Sequence, residues 1–487
     1  MKKAVGLVVS VLVVVGGLVP YQFGVRTEQT WTALVPLAAH VWDIPVSTTR
    51  YTRGWFSSTA ETFLELPPLV AVVLRANVPH TPTPSGTPEG LTMVHRILHG
   101  PFPVGLRPGG IISLVPVQTM IISSLAPGAR SSSRGVLSTE ALPALQVSTT
   151  VFFHGVSQSH FVMPAFASPP SEQTEAHLIS QGLYGDMTVG ANGDHITGSL
   201  QTSGLQMVRE DSVLALHDVT ARTDVSTGHR QSRRSDTFVR VGSVAVTHRP
   251  EAQATWAITG GEVRATTTTA AGETLQAVAD VQLDTFHLAD MPHGPGTLHL
   301  DIRRLPSAAL AGLLQEAVQQ WQDAPDFATL WMHLRLSGDL ARLLSGVART
   351  SPEIALTQMH LHTTDGEVRA SVQVHLDGNR LRAPGSLPQL VQTINAQAEG
   401  EAPASWVRAV VIDQVSKIMR VRSTLAALLP PTVLHSLAAT ISDRQLRSLV
   451  EQEYLLLDGD MYKSKAHYAD GQLFVNGKLL ALPALVQ

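Results

Sequence analysis

The hydrophobic and polar positions of this chain follow three successive patterns. Residues 4–19 are apolar apart from Ser10, and they follow Lys2 and Lys3. From residue 145 to about 305, short β-branched runs and alternating polar and apolar residues are separated by turn residues, as in β-strands. After Pro306, several segments place apolar residues at intervals of three and four, which indicates helices between further strands. The pattern therefore predicts an apolar start, a β-rich middle and a mixed end.

The N-terminal apolar run is long enough to cross a membrane if it continues to Val25. As a helix, Ala4–Val19 would span only about 24 Å, whereas a helix ending at Val25 would span roughly 33 Å, against a hydrocarbon core of about 30 Å. A cleaved signal peptide is the alternative, but Gly17-Leu18-Val19 makes a poor small-x-small cleavage site. We favour an uncleaved single-pass anchor, with the lysines inside and the rest of the chain exported.

Local signals predict elements up to residue 305. Residues 28–42 have the apolar spacing of a short helix, and residues 48–66 are rich in Thr, Tyr, Trp and Phe, as in strands. The dipeptides Asn192-Gly193 and Gly260-Gly261 are typical of two-residue hairpin turns. The close spacing of strands without helical patterns between them predicts antiparallel pairing.

The last third mixes helices with hairpins. Helical patterns cover residues 306–321, 405–419 and 422–454, and the third is broken at Pro430-Pro431 and restarted with Ser442-Asp443 as a cap. Three dipeptides predict tight turns between strands, namely Asp365-Gly366, Asp470-Gly471 and Asn476-Gly477. Because the strand between the last two turns is too short to be stable alone, we expect the segment from Met461 onward to be integral to the sheet.

Together these elements predict an α+β fold dominated by a long, mainly antiparallel β-sheet. An N-terminal transmembrane helix precedes it, and several helices lie in the C-terminal third. The predicted organisation is a membrane anchor at 1–25, a helical stalk at 26–45, a β-rich extracytoplasmic region at 46–305, and a mixed region at 306–487 that completes the same sheet.

Composition narrows the class of protein. The 487 residues are 44% hydrophobic and 15% charged, so the chain can bury a large core and is not disordered. A net charge of −4 argues against a nucleic-acid partner. The absence of cysteine excludes disulfides, thiolate nucleophiles and iron–sulfur clusters.

Candidate metal ligands are few. His360 and His362 are two residues apart on a predicted strand, so they share a face and could chelate one ion, with His375 across the predicted turn. We interpret them as solvent-facing histidines because no further ligand is identifiable, and we expect no cofactor.

A hydrolytic site can be sought near the Asn192-Gly193 turn. Ser157 or Ser159 could in principle combine with a histidine and an acid from His154, His160, Asp186, Asp194 and His195. Nothing in the sequence fixes such a spacing, so we interpret these residues as turn acids and surface histidines. An envelope hydrolase with an unrecognised active site stays the alternative to a non-enzymatic protein.

Four motifs in order give the chain a resemblance to a known family. The first is Tyr51-Thr52-Arg53-Gly54-Trp55-Phe56-Ser57-Ser58, the second is His99-Gly100-Pro101-Phe102-Pro103, the third runs from Phe286 through His293-Gly294-Pro295 to Leu300, and the fourth is Gly471-Gln472-Leu473-Phe474-Val475-Asn476-Gly477-Lys478. Together they resemble the YdgA-like bacterial proteins, a domain-of-unknown-function family (number 945). The resemblance covers nearly the whole chain, although the middle third matches only in β character.

The resemblance implies a single-pass protein of the bacterial inner membrane with the bulk of the chain in the periplasm, and it carries over no catalytic residue. We therefore expect the motif residues to be structural, with Trp55 or Phe56 buried in the sheet and Gly54 in a bend. The predicted function is that of a non-enzymatic cell-envelope protein whose weakly charged sheet presents a groove to a lipid or to an envelope protein.

Overall fold

The structure is a computed structural model, and it describes most of the chain in separate ranges. These are residues 22, 24–29, 31–32, 46–65, 90–100, 117–125, 145–167, 177–208, 212–228, 232–248, 254–270, 274–288, 291–306, 350–380, 392–422 and 430–480. They form two compact units. The first contains the described residues before 254 except 232–234, and the second contains residues 232–234 and the described residues from 254 onward.

The first unit is an antiparallel sheet built largely as a meander. Its strands are β1 (Val46–Arg53), β2 (Ser57–Glu65), β3 (Gly90–His99), β4 (Thr119–Leu125), β5 (Gln146–Val151), β6 (Ser157–Met163), β7 (Phe166–Ala167), β8 (His177–Ser180), β9 (Leu183–Val189), β10 (His195–Val208), β11 (Ser212–Thr227) and β12 (Arg233–His248). Strands β1 to β6 pair in chain order. Strand β6 then pairs with β9, and β10 pairs with β8, β9 and β11.

The core of the first unit lies where an N-terminal helical segment, residues 24–29 and 31–32, meets β1 to β5. Trp31 packs there with Ile97 and Ile121, and Tyr51 packs against the same cluster. The indole nitrogen of Trp31 donates a hydrogen bond to Oγ1 of Thr48 at 3.2 Å. The helix predicted at 28–42 is thus seen as far as residue 32, and the strand character of 48–66 is confirmed.

The second unit combines a longer antiparallel sheet with two helices. Its strands are β13 (Ala254–Ala270), β14 (Thr274–Leu283), β15 (Thr285–Leu288), β16 (Met291–His293), β17 (Gly296–Pro306), β18 (Glu353–Thr363), β19 (Gly366–Leu376), β20 (Ile394–Pro403), β21 (Leu456–Asp458), β22 (Met461–Ala469), β23 (Gln472–Val475) and β24 (Lys478–Leu480). A short 3₁₀ helix covers Gly378–Arg380. The main path of pairing runs β13–β14–β17–β18–β19–β20–β22–β23–β24.

The helices α1 (Ala404–Arg422) and α2 (Pro431–Glu451) pack on each other. The guanidinium of Arg408 donates two hydrogen bonds to the carboxylate of Asp443, at 2.6 and 2.9 Å. The predicted cap at Ser442-Asp443 is wrong, because Ser442 lies fully buried inside a continuous α2. The proline start of α2 is as expected, since Pro431 occupies a first-turn position whose N–H needs no helical partner.

The hairpin predicted at Gly260-Gly261 is also wrong. Strand β13 continues through both glycines, pairing with β15 before them and with β14 after them. Gly260 has a φ of 62°, and a Cβ at this position would overlap the carboxylate of Asp284, the residue between β14 and β15. The glycine signal marks a bend at a change of partner strand, which a local turn preference cannot distinguish from a hairpin.

Two other predicted turns are found near the expected place but differ in detail. Asn192-Gly193 lies between β9 and β10, in a four-residue loop (191–194) and not in the expected two-residue turn, because the N–H of Gly190 donates to the carbonyl oxygen of His195. The turn between β18 and β19 is one residue earlier than predicted, at Thr364-Asp365. At the C-terminus, Asp470 and Asn476 have φ values of 53° and 48°, and each is followed by a glycine with positive φ, as type I′ turns require.

Several predicted elements lie outside the described residues. They include nearly all of the predicted anchor at 1–25, residues 307–321 of the helix predicted at 306–321, whose first residue, Pro306, instead ends β17, and residues 423–429 before Pro430. Within the ranges that the structure does describe, no helix has the length and apolar character needed to cross a membrane.

Candidate functional site

In the described strands of the second unit, one face of the sheet carries no charged side chain. Side chains alternate between the two faces along a strand, and residues paired across strands share a face. The register therefore places uncharged residues together over eight neighbouring strands. We call this set the apolar face: Val263, Ala265, Ala277, Ala279, Val281, Leu298, Leu300, Ile302, Ile354, Leu356, Met359, Leu361, Val368, Ala370, Val372, Val374, Ala396, Ala398, Ala466, Tyr468, Leu473 and Val475.

Side chains of the apolar face are poorly buried for their character. Val368 is buried, but Ile354 is 39% exposed and Val372 is 37% exposed. Most of the others are half-buried, including Leu298 and Leu300. An apolar face of this width would normally be covered by a packed layer. In the described part of the second unit, it is a surface able to receive an apolar ligand.

The opposite face holds the charges, arranged as pairs. Arg303 lies 2.5 Å from Asp301, Arg369 lies 2.6 Å from Glu367, and Lys465 lies 2.8 Å from Glu399. An open depression of about 750 Å³ follows this face. It is lined mainly by polar side chains, among them Arg303, Gln373, Glu399, Lys465 and His467, with Phe474 at one end. Its lining also includes apolar residues such as Ala355, Leu356 and Val372, so both polar and apolar groups line the depression.

The metal site considered for His360 and His362 is not formed. Nδ1 of His360 lies 2.9 Å from Oε1 of Glu367, and hydrogen bonds from Arg369 and His360 lower the pKa of Glu367 to about 2. His375, expected across the turn, lies at the far end of the hairpin opposite Glu353, because the strands are eleven residues long. Among the residues that the structure describes, no group of three potential ligands comes together.

In the first unit the structure brings two of the sequence motifs together. His99 donates its backbone N–H to the carbonyl oxygen of Phe56 at 3.0 Å, and its Nε2 lies 2.9 Å from Oγ of Ser58, both side chains being buried. A Cβ at Gly54 would overlap the carbonyl oxygen of Ser57, and one at Gly100 would overlap that of Val117. Residues of the two motifs therefore contact each other where β2 and β4 begin and β3 ends. Pro101 lies outside the described residues.

A second buried histidine was not singled out by the sequence. Nε2 of His95 lies 2.7 Å from Oγ1 of Thr62, and Nδ1 lies 2.7 Å from Oγ of Ser123. The ring of Trp31 packs edge-on at 4.9 Å between centroids. Burial lowers the pKa of His95 to about 4, so the ring is neutral at physiological pH. Its place between two hydroxyls, enclosed on three sides, indicates a packing role.

The expectation that Trp55 or Phe56 is buried is wrong. Trp55 is 49% exposed and Phe56 is 60% exposed, and both lie in the bend between β1 and β2. Gly54 does begin this bend, as predicted. Arg53 is fixed by an ion pair with Glu28 of the helical segment at 2.8 Å, and Tyr51 points into the core, where burial raises its pKa.

The triad considered near Asn192-Gly193 is not assembled. His160 is hydrogen-bonded to Asp186 across β6 and β9, and both side chains are exposed. Ser159 is adjacent to His160 on the strand and therefore points to the opposite face, where its Oγ lies 2.8 Å from Oγ1 of Thr149. Ser157 shares that opposite face. The ring of His154 stacks on the ring of Phe152 in the turn between β5 and β6.

His195 and Asp194 also have no serine partner in this arrangement. Nδ1 of His195 lies 3.5 Å from Oδ1 of Asp224, across β10 and β11. The pair is exposed, like the His160–Asp186 pair. Cross-strand pairing of histidines with acids is thus a surface feature of this sheet and not a nucleophilic site.

The remaining motif residues make contacts within the second unit. Oδ1 of Asn476 accepts a hydrogen bond from the N–H of Lys465 at 2.8 Å, and its Nδ2 donates to the carbonyl oxygen of Glu453 at 3.0 Å. Gly471 and Gly477 supply the positive φ of their turns, at 77° and 79°. In the third motif, His293 is buried and contacts the ring of Trp406 on α1.

Comparison with known proteins gives a family but no characterised relative. The model of a family described as bacterial protein of unknown function (DUF945) matches residues 1–483. Neither the curated proteins nor the solved structures gave a match to the chain.

Proposed function

The chain belongs to the DUF945 family of bacterial proteins, and we propose that it is a non-enzymatic cell-envelope protein that binds a lipid acyl chain on the sheet of its second unit. Its N-terminal apolar segment holds it in the inner membrane, and the β-rich body lies in the periplasm. The apolar face is the single observation on which the proposed activity rests.

The dimensions of the apolar face suit a long hydrocarbon chain. Eight strands spaced about 4.8 Å apart give a path of about 34 Å across the strands. In the described strands along this path the register places no charged side chain, while the Arg303–Asp301 and Lys465–Glu399 ion pairs lie on the other face. Covering half-exposed side chains such as Ile354 and Val372 contributes about 25 cal/mol for each Å² of apolar surface removed from water.

The chemistry of the face favours hydrocarbon over an extended polypeptide. The backbone groups of the inner strands are already paired within the sheet, and the apolar face offers few side-chain hydrogen-bond partners. A peptide laid on it would bury unpaired N–H and C=O groups, which is costly, whereas an acyl chain has no polar groups to satisfy. The depression on the opposite face differs, because charged side chains such as Arg303, Glu399 and Lys465 line it together with apolar ones.

The N-terminal sequence supports the proposed location. Lys2 and Lys3 precede an apolar run that continues to Val25, and the order of charge and hydrophobicity fits an anchor whose body is exported. A protein held at a membrane surface is within reach of the ligand that we propose.

The experiment compares two valines of equal exposure on opposite faces. Val372 lies on the apolar face and Val278 on the charged face, and each is 37% exposed. Full-length wild-type protein, Val372→Gln and Val278→Gln are purified in mild detergent and labelled with a photoreactive fatty acid. Labelled peptides are then mapped by mass spectrometry.

We expect labels on β17 to β20 in the wild type, a clear loss in Val372→Gln, and wild-type labelling in Val278→Gln. The absence of fatty-acid labels on these strands would contradict the proposal. Equal effects of the two substitutions would also contradict it, since a polar group would then act through stability and not through the apolar face. If a polypeptide copurifies on these strands in place of lipid, the ligand of the apolar face is a polypeptide and the proposed lipid is wrong.

A further inference from the structure

One end of the first sheet carries a row of turns that are tied together through the backbone. The N–H of His99 donates to the carbonyl oxygen of Phe56 at 3.0 Å, that of Gly100 donates to Gln118 at 2.9 Å, and that of Gln118 donates to Val151 at 2.9 Å. The row therefore joins the bend after β1, the end of β3, the start of β4 and the turn after β5. It is a fixed edge of the sheet and not a set of independent loops.

Large aromatic side chains project from this edge into solvent. Trp55 is 49% exposed, Phe56 is 60% exposed, and Phe153, in the turn after β5, is 50% exposed. Leaving three such rings in water forfeits the favourable free energy of burying them, which for an aromatic ring is among the largest of any side chain. Exposed aromatic groups of this kind, concentrated at one edge, are typical of a surface that meets an apolar or interfacial medium.

The chain enters the first unit at the same edge. A Cβ added at Gly24 would lie 3.2 Å from Nε2 of His99 and 3.7 Å from the carbonyl oxygen of Gly54, so the end of the apolar segment reaches the start of the aromatic bend. The helical segment that follows is held there by the Arg53–Glu28 ion pair. In sequence, the apolar run from Ala4 ends at Val25, next to this contact.

We propose that this edge lies on the lipid bilayer, with Trp55, Phe56 and Phe153 inserted at the level of the headgroups. The inference rests on the proposed membrane anchor, because the edge is where an anchor ending at Val25 would bring the bilayer. The occupant of the aromatic surface is thus the membrane that holds the chain and not a separate protein. The contact would orient the first sheet with its strands rising from the membrane, since the turns lie at the strand ends.

The test is quenching of tryptophan fluorescence by brominated lipids in proteoliposomes that contain the full-length protein. The signal of Trp55 is the difference between wild type and Trp55→Phe, a conservative change at an exposed position. The matched control is Trp55→Phe/Tyr184→Trp, because Tyr184 is 54% exposed at the opposite end of β9. At about 3.3 Å per residue, this position is roughly 17 Å further from the edge. Flotation after carbonate washing tests the anchor separately.

We expect the vesicles to float with the protein, the Trp55 signal to be largely lost in brominated lipids, and the signal at position 184 to be retained. Floating protein with an unquenched Trp55 signal would overturn the membrane-edge inference and leave the anchor intact. Equal quenching at positions 55 and 184 would overturn it too, since the edge would have no special contact. Protein that is washed from the vesicles would refute the anchor and, with it, this inference.

Discussion

The buried His95 should make the first unit sensitive to mild acid. Its ring lies between the hydroxyls of Thr62 and Ser123 and against Trp31, and burial lowers its pKa from 6.5 to about 4. As the pH falls below 6.5, the ordinary pKa of histidine, His95 takes up a proton in the unfolded chain but not in the folded chain. Stability is therefore complete above pH 6.5 and is lost progressively until the pH reaches the folded-state pKa of about 4.

The size of the effect follows from the two pKa values. Over the whole window, a difference of about 2.5 pH units corresponds to about 3.4 kcal/mol. Between about pH 7.5 and pH 5, the loss is about 2 kcal/mol, or roughly a 30-fold rise in the open population of the unit. Burial also lowers the pKa of His99, on the same strand, so the wild-type slope includes a further contribution of the same sign.

Hydrogen exchange measures this loss on the strand itself. The two units need not unfold together, so a single denaturation midpoint would be ambiguous. Exchange of the β3 backbone amides, corrected for the intrinsic effect of pH and measured by mass spectrometry, gives the free energy of opening at about pH 7.5 and pH 5. The variants are His95→Gln and, as the control, His362→Gln, which removes an exposed histidine of the second unit.

We expect β3 in the wild type and in His362→Gln to lose protection by at least about 2 kcal/mol between about pH 7.5 and pH 5. In His95→Gln the loss should be smaller by about 2 kcal/mol, even though the variant is less stable at neutral pH. If His95→Gln keeps the full acid dependence, the titration of His95 does not control the stability of this unit and the reasoning is wrong.

Three further substitutions or truncations have expected outcomes. Gly100→Ala should lower the stability of the first unit by about 1–3 kcal/mol, because its Cβ would overlap the carbonyl oxygen of Val117; unchanged hydrogen exchange of the β3 backbone amides would contradict this. Trp55→Ala should change the free energy of unfolding by less than about 1 kcal/mol, since the ring is exposed; a loss of several kcal/mol would instead place the ring in the core. Truncation after Asp460 removes β22, which pairs with both β20 and β23, and should abolish protease resistance of the second unit; a truncated chain as resistant as the full one would show that the terminal strands are an appendage.

The sequence by itself determined the features that depend on a few neighbouring residues. The turns at Asp470-Gly471 and Asn476-Gly477 require positive φ at both central residues, and the residue types that permit this are adjacent in the chain. The antiparallel, β-rich character follows from closely spaced strand patterns in the same way. The family resemblance, which the match over residues 1–483 confirms, also rests on short local motifs.

Where sequence reasoning failed, a partner distant in the chain decided the outcome. Gly260-Gly261 has the composition of a turn, but β13 continues because β14 and β15 pair with its two halves. Ser442 is a residue type that often caps helices, but it lies fully buried in the interior of α2. Trp55 has the character of a core residue, but its side chain is about half exposed in the bend between β1 and β2.

The apolar face shows the same division between sequence and structure. Alternation along β14 or β19 tells which residues share a face within a strand, since the side-chain period of a strand is two residues. It does not tell which strand lies beside which, or in what register. A shift of one residue in a single strand would place charged residues such as Arg369 among the apolar ones. Only the tertiary pairing, set by side-chain packing across the whole sheet, aligns eight strands so that their uncharged positions form one continuous surface.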